Sequence, residues 1–173
     1  SAVGVGSFIE FSGMTSHVDS LDPADRRLLR ELQANARRST AELAEAAGLS
    51  TSACHRRMKQ LESAGLVDGY VARVNREAVG YSMMFFIEAT LDSQGMGHQS
   101  AFEAAVARID EVLECHLLAG ETDYLMKVVA ADLADFERIH RDKLARLPHL
   151  ARLRSNLMIR EVRRFEGVPI RSR

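Results

Sequence analysis

Residues 51–61, TSACHRRMKQL, carry hydroxyl, imidazole, guanidinium and ammonium groups with no carboxylate among them. At helical spacing Thr51, Ser52, His55, Arg56 and Lys59 point one way, while Ala53 or Cys54, Met58 and Leu61 form the opposite, apolar stripe. Such a face offers positive charge and hydrogen-bond donors, the chemistry that engages phosphate oxygens and base edges. Arg56 and Lys59 suit guanine edges or phosphates, Thr51 and Ser52 suit either, and His55 can donate to a base or a backbone oxygen. Ser39, Thr40, Ser50 and Arg57 lie beside this face and complete the candidate DNA-contact set. An isolated basic helix face is more often simply solvated, so the surrounding elements decide.

Those elements are two further helices in tight succession. Asp22 is an N-cap with Pro23 at the first helical position, and Leu28, Leu29 and Leu32 recur at helical spacing up to Ala34, with Asn35 at the end. Ser39 and Glu42 have the spacing of a capping box for a short helix that turns Leu43, Ala44 and Ala47 inward and stops at Gly48. The third helix starts at Ser50 or Thr51 and closes at Gly65, so a Gly-Leu-Ser turn joins the last two. This is the spacing of a helix-turn-helix, whose second member enters the major groove. LVDGYVARVN then predicts a strand, an Asp68-Gly69 turn and a second strand, the hairpin of a winged helix, with Arg73 and Arg76 near phosphate.

A second unit follows the connecting residues 77–80. YSMMFFIEATL predicts a strand, DSQGMGHQS a loop, and AFEAAVARI a helix with Phe102, Ala105, Val106 and Ile109 on its inner face. VLECHLLAG and YLMKVVA pair as a hairpin about Glu121-Thr122-Asp123. DLADFERIHRDKLARL is a helix capped by Asp132, lined by Leu133, Phe136, His140 and Leu147 and stopped by Pro148. RLRSNLMIREV is the last strand, with Leu153, Ser155, Leu157 and Ile159 alternating against Arg154, Asn156, Met158 and Arg160. The order is β-α-β-β-α-β, so the predicted class is α+β: an N-terminal winged helix-turn-helix and a C-terminal ferredoxin-like domain. Two helices cover one face of such a sheet. Large residues on the other, either Met83 and Phe85 or Met84 and Phe86, predict sheet-to-sheet dimerisation.

At 173 residues, with 46% hydrophobic and 27% charged side chains, the chain suits two small packed domains. The predicted boundaries are a disordered or tag-derived 1–20, with Met14 a candidate start, a DNA-binding 21–65, a hairpin and linker over 66–80, and a sensing and oligomerisation domain over 81–173. No apolar run reaches the roughly 18 to 20 residues that span a bilayer, and no secretory leader is evident, so a cytoplasmic protein without membrane partners is expected. The net charge of -1 excludes a uniformly basic coat but not a local basic face. Cys54 and Cys115 are the only cysteines and form no C-x-x-C pattern, and Cys115 and His116 point to opposite faces of a strand, so neither a disulfide nor a metal site is expected. G-x-S-x-G, H-E-x-x-H, Walker and dinucleotide motifs are missing, which argues against an enzyme. An RNA-reading ferredoxin-like module is disfavoured because its paired sheet aromatics are lacking.

Taken together, LDPADRRLLRELQANAR, STAELAEAAGLSTSACHRRMKQLESAGLVDGYVARVN and AGETDYLMKV resemble the Lrp/AsnC family of bacterial and archaeal regulators, the leucine-responsive or feast/famine proteins, over about residues 21–168. The resemblance implies a nucleoid-associated transcriptional regulator that binds double-stranded DNA as a homodimer and often assembles into an octamer, with an amino-acid effector at interfaces of its C-terminal domains. It also implies that Gly120, Glu121, Thr122, Asp123 and Tyr124 form the effector loop, joined by Ser155. Backbone N–H groups near Gly120 can receive a carboxylate while Asp123 pairs with an α-ammonium group. The same residues equally suit a plain hairpin turn. Alternatives are a stand-alone amino-acid-binding protein and an effector-independent DNA-organising protein.

Overall fold

The computed structural model describes residues 21–93 and 95–171, so the expectations for residues 1–20 and Met14 lie outside the described part. The chain divides into two compact units, Ser1–Ala72 together with Arg164–Arg173, and Arg73–Arg163. Among the described residues no helix is long and apolar enough to cross a membrane.

The first unit holds α1 (Pro23–Ala34), α2 (Thr40–Ala47) and α3 (Thr51–Ser63). Their apolar faces meet in one core of Leu28, Leu29, Leu32, Leu43, Ala44, Ala47, Cys54 and Leu61, against which Met58, Leu66 and Val67 also pack. Asp22 and Ser39 cap α1 and α2 as the sequence predicts, Ser50 caps α3, each accepting backbone N–H groups of the turn it precedes, and Gly48 ends α2 in the left-handed region.

Two sequence expectations fail here. The hairpin over residues 66–75 does not form. Past α3 the chain runs without strand pairing, and Val71 and Val74 are exposed, Val71 at 94%. A two-stranded ribbon needs an apolar surface to lie on, and among the described residues none covers these valines. The boundary of the second domain also moves, because the chain's last described residues return to the first unit. Gln33 brackets Val168 through its side-chain amide, donating to the carbonyl at 3.0 Å and accepting from the N–H at 2.7 Å. Arg30 donates to the Ile170 carbonyl at 3.2 Å, Arg26 donates to that of Arg171, and Ile170 packs on the core. Gly167 just before has φ 126°, and a Cβ there would stand 2.3 Å from Gln33 Oε1.

The second unit is a four-stranded antiparallel sheet of order β2-β3-β1-β4, built from β1 (Met83–Leu91), β2 (Val112–Leu117), β3 (Tyr124–Ala130) and β4 (Leu150–Leu157). Two helices, α4 (Met96–Val106) and α5 (Leu133–Asp142), cover one face. Phe85, Ile87, Ala89 and Leu91 of β1 meet Phe102, Val106 and Ile139 there, and the Phe85 and Phe136 rings stack at 3.6 Å. α4 begins earlier than predicted, inside the expected glycine loop, and stops before Ile109, which packs from beyond its end. Leu133, expected inward, is 65% exposed; Ile139 takes the inward position, and a 3-10 turn over Leu144–Arg146 buries Leu144. β4 stops at Leu157, leaving Ile159 exposed beyond it.

The opposite sheet face carries Met84 and Phe86, the second of the two pairs the sequence left open. The face is mixed, for Glu88 accepts from Asn156 at 3.1 Å and Lys127 donates to Glu114 at 2.9 Å beside the half-buried Leu125.

Candidate nucleic-acid interface and effector loop

The pose of α3 is fixed from three sides. Ser50 caps it by accepting from the Ala53 N–H at 3.3 Å, Cys54 and Leu61 are buried under it, and Arg57 reaches the start of α1. The Arg57 Nη1 lies 2.9 Å from Asp25 Oδ1 and 2.5 Å from Asp22 Oδ2. Asp22 also takes the Ala24 and Asp25 N–H groups on its other oxygen, at 2.8 and 2.9 Å. The Asp25 N–H and then Arg57 hold the Asp22 carboxyl below its ordinary value, despite some burial. In turn the two carboxylates hold Arg57 firmly protonated. α2 is tied down separately by Arg27, whose Nε and Nη2 donate to the Ala47 carbonyl at 3.1 and 2.8 Å. That carbonyl closes a helix and would otherwise lack a partner.

Thr51, Ser52, His55, Arg56 and Lys59 point outward on α3, all exposed, with Gln60, Glu62 and Ser63 also exposed towards its end. The structure therefore brings together five of the nine residues the sequence nominated. Arg57 does not belong with them, because its guanidinium is half-buried in the two-carboxylate clamp. Ser39 and Ser50 spend their hydroxyls on capping: Ser39 Oγ donates to Glu42 Oε2 at 2.7 Å and accepts from the Glu42 N–H at 3.3 Å. Thr40 is half-buried in the first turn of α2. Arg27 was missed because its partner is a backbone carbonyl, which leaves no trace in residue type or spacing.

In the second unit the nominated loop joins β2 to β3. Gly120 and Glu121 are exposed and Thr122 is half-buried. Among the described residues a Cβ on Gly120 would meet nothing, and its φ is not left-handed, so none of them requires glycine there. Asp123 behaves differently from expectation. It is buried, its Oδ2 accepts from the Leu91 N–H at 2.8 Å, its own N–H donates to the Ala89 carbonyl at 3.1 Å, and its carbonyl accepts from the Leu118 N–H at 2.8 Å. The β1–β3 ladder ends at Ala89 opposite Tyr124, so the Leu91 N–H needs an acceptor and the carboxylate supplies it. One of its carboxylate oxygens is therefore engaged inside the fold.

Tyr124 is also buried, donating its hydroxyl to Glu103 Oε1 at 2.7 Å and tilting its ring against Phe102. Burial, then Glu103, push the Tyr124 phenol up, and burial pushes the Cys115 thiol up to about 11. These side chains, with Val106, Ala107 and Leu117, line a mainly apolar cleft of about 200 Å³ that the sequence did not announce. Ser155 stands opposite Ile87 on β4, with β1 between it and β3, so within one chain it does not join the loop.

With this geometry in view, comparison with known proteins is consistent throughout. Residues 21–62 match the AsnC-type helix-turn-helix domain and residues 84–168 the Lrp/AsnC ligand binding domain. The leucine-responsive regulatory protein of Salmonella typhimurium is 35% identical over 153 residues, spanning 88% of this chain and 93% of that one. A transcriptional regulator of Neisseria meningitidis, solved with L-methionine, superposes with a TM-score of 0.83 at 34% identity, covering 87% of this chain and 97% of that chain. The feast or famine regulatory protein of M. tuberculosis, complexed with L-methionine, superposes with a TM-score of 0.75 at 35% identity, covering 83% of this chain and 95% of that chain. Two domain matches in the order the fold displays, together with full-length relatives at this identity, place the chain in the Lrp/AsnC family of transcriptional regulators.

Proposed function

We propose that α3 reads double-stranded DNA through Thr51, Ser52, His55, Arg56 and Lys59, and that the second unit takes an amino-acid effector and assembles the protein into a homodimer and from there an octamer. What carries the first statement is the outward face of α3: five exposed donors with no acid between Thr51 and Leu61, on a helix whose pose is pinned by Ser50, Arg57 and the core. The protein would act in the cytoplasm, on the nucleoid.

For the effector, the exposed Glu121 takes over the role first given to Asp123. Glu121 receives the α-ammonium group, while the backbone at Gly120 receives the carboxylate. L-Methionine is the first compound to try, since two of the similar proteins were solved with it. The test has two arms. DNA binding is titrated against salt for the wild type and for Arg56→Ala and Lys59→Ala; loss of a phosphate contact lowers the slope by about 0.9 per contact. A thermal-shift series against the twenty amino acids, with sedimentation, reads the effector, because a ligand of the native state must raise the melting temperature. A regulator that binds DNA and shows no shift with any amino acid would be effector-independent.

A further inference from the structure

Three ligating side chains meet at one corner of the second unit, just past the Leu91 N–H that Asp123 holds. Asp92 follows β1, His98 sits in the first turn of α4, and His149 precedes β4. The ladder between β1 and β4 slips here: Thr90 faces Arg152 but Leu91 faces Leu150, so Ala151 is the extra residue of a bulge. That slip puts His149 across from Asp92, whose N–H donates to the His149 carbonyl at 2.8 Å.

One carboxylate oxygen, Asp92 Oδ1, lies 3.9 Å from Nδ1 of His98 and 3.7 Å from Nδ1 of His149. Both distances are too long for hydrogen bonds. The three ligand atoms all fall within 4.8 Å of one another, leaving a gap ringed by lone pairs. Two further observations single the corner out. Among the described residues, His98 Nδ1 is the buried side-chain polar atom with no hydrogen-bond partner. His149 is, among the described residues, the non-glycine residue with a left-handed backbone, φ 58°. An orphaned imidazole nitrogen and a strained backbone at the same place are costs that a bound ligand would offset.

We propose that Asp92, His98 and His149 form a binding site for a divalent first-row transition ion of the zinc class. Two imidazole nitrogens and one carboxylate oxygen are a donor set such ions accept, and three protein ligands leave one position for water or an outside group. A tetrahedral ion with bonds of about 2.0 to 2.1 Å holds its ligand atoms about 3.3 Å apart, so the two Asp92–histidine pairs, at 3.9 and 3.7 Å, close by about half an ångström and the histidine pair closes from within 4.8 Å. The two imidazoles now stack at 3.8 Å with an interplanar angle of 14°. Binding turns them out of that stack so that both lone pairs converge. Asp92 is exposed enough for an ion to enter without opening the core.

The experiment uses the full chain, stripped with chelator and titrated with zinc chloride by equilibrium dialysis, with melting temperature read in parallel. The comparison is His98→Gln/His149→Asn, chosen because asparagine tolerates the left-handed backbone, and His116→Gln as a control on the sheet's other face. The expected result is one more zinc per chain in the wild type and in the control than in the double variant, at micromolar free zinc, with a melting temperature raised only where that ion binds. Histidine side-chain NMR should report the loss of ring stacking on loading. Equal stoichiometry in the wild type and the double variant, or no zinc uptake by the wild type, would overturn the proposal.

Discussion

Arg57 Nη1 stands 2.9 Å from Asp25 Oδ1, and through this contact α3, the helix proposed to read DNA, is bolted to the start of α1. Arg56 and Arg57 are neighbours with opposite tasks. Arg57→Ala should lower the melting temperature, at a cost of about 1 kcal/mol for a partly exposed pair, and weaken DNA binding only as far as the head loosens. Arg56→Ala should leave the melting temperature unchanged and weaken binding by roughly 1 to 3 kcal/mol if it makes a bidentate base contact. Paired thermal melts and DNA titrations separate them; equal melts for the two variants would remove the distinction.

Asp123→Ala should destabilise the second unit by about 1 to 3 kcal/mol, because it strands the buried Leu91 N–H. Urea denaturation measures it. Were Asp123 an effector ligand instead, the variant would keep its midpoint and lose only the response to amino acid.

Acid should unfold the protein from the carboxylates that have partners. Burial raises the Glu111 carboxyl, but the Lys143 ammonium, 2.7 Å from both its oxygens, outweighs this and leaves it below its ordinary 4.5. Asp22 is likewise held below 3.8, first by the Asp25 N–H and then by Arg57. A carboxyl depressed in the folded state contributes stability that is present above its unfolded value and is lost as pH falls through the folded one. Stability should therefore hold from neutrality down to about pH 5 and decline below about 4. Lys143→Met should flatten part of that decline, and pH-dependent urea midpoints provide the check.

Gly167→Ala should release the tail, since a φ of 126° strains any residue with a side chain and a Cβ there would displace the Gln33 amide from Val168. Uncovering half-buried Ile170 costs about 1 kcal/mol. Faster tryptic cleavage after Arg163 and Arg164, followed by mass spectrometry, would show the release; an unchanged rate would mean the tail holds without Gln33.

Much of the fold was legible because it is written in side-chain period and caps. Asp22, Ser39 with Glu42, Gly48 and Asp132 mark helix limits by local hydrogen bonds that need no tertiary knowledge. The failures share a different physics. Val71 and Val74 look like strand residues, yet a strand exists only when something pairs with it. Leu133 looks like a core residue at helical spacing, but the inward face is set by Ile139 and by the turn that follows. Asp123 was read from its type, whereas its role comes from an unpaired N–H at the end of a neighbouring strand. The grip of α1 on the tail runs through backbone carbonyls, which every residue has, so no pattern of residue types could reveal it.

That grip changes how the chain should be divided. In topological terms the second unit is an insertion: the polypeptide leaves the first unit after Ala72 and rejoins it from Arg164. A contiguous fragment ending at Ala72 would lack the segment that covers α1 at Gln33, Arg30 and Arg26. A head made for separate study should splice residues 164–171 back on through a linker, and anything fused behind this tail would hang from the first unit.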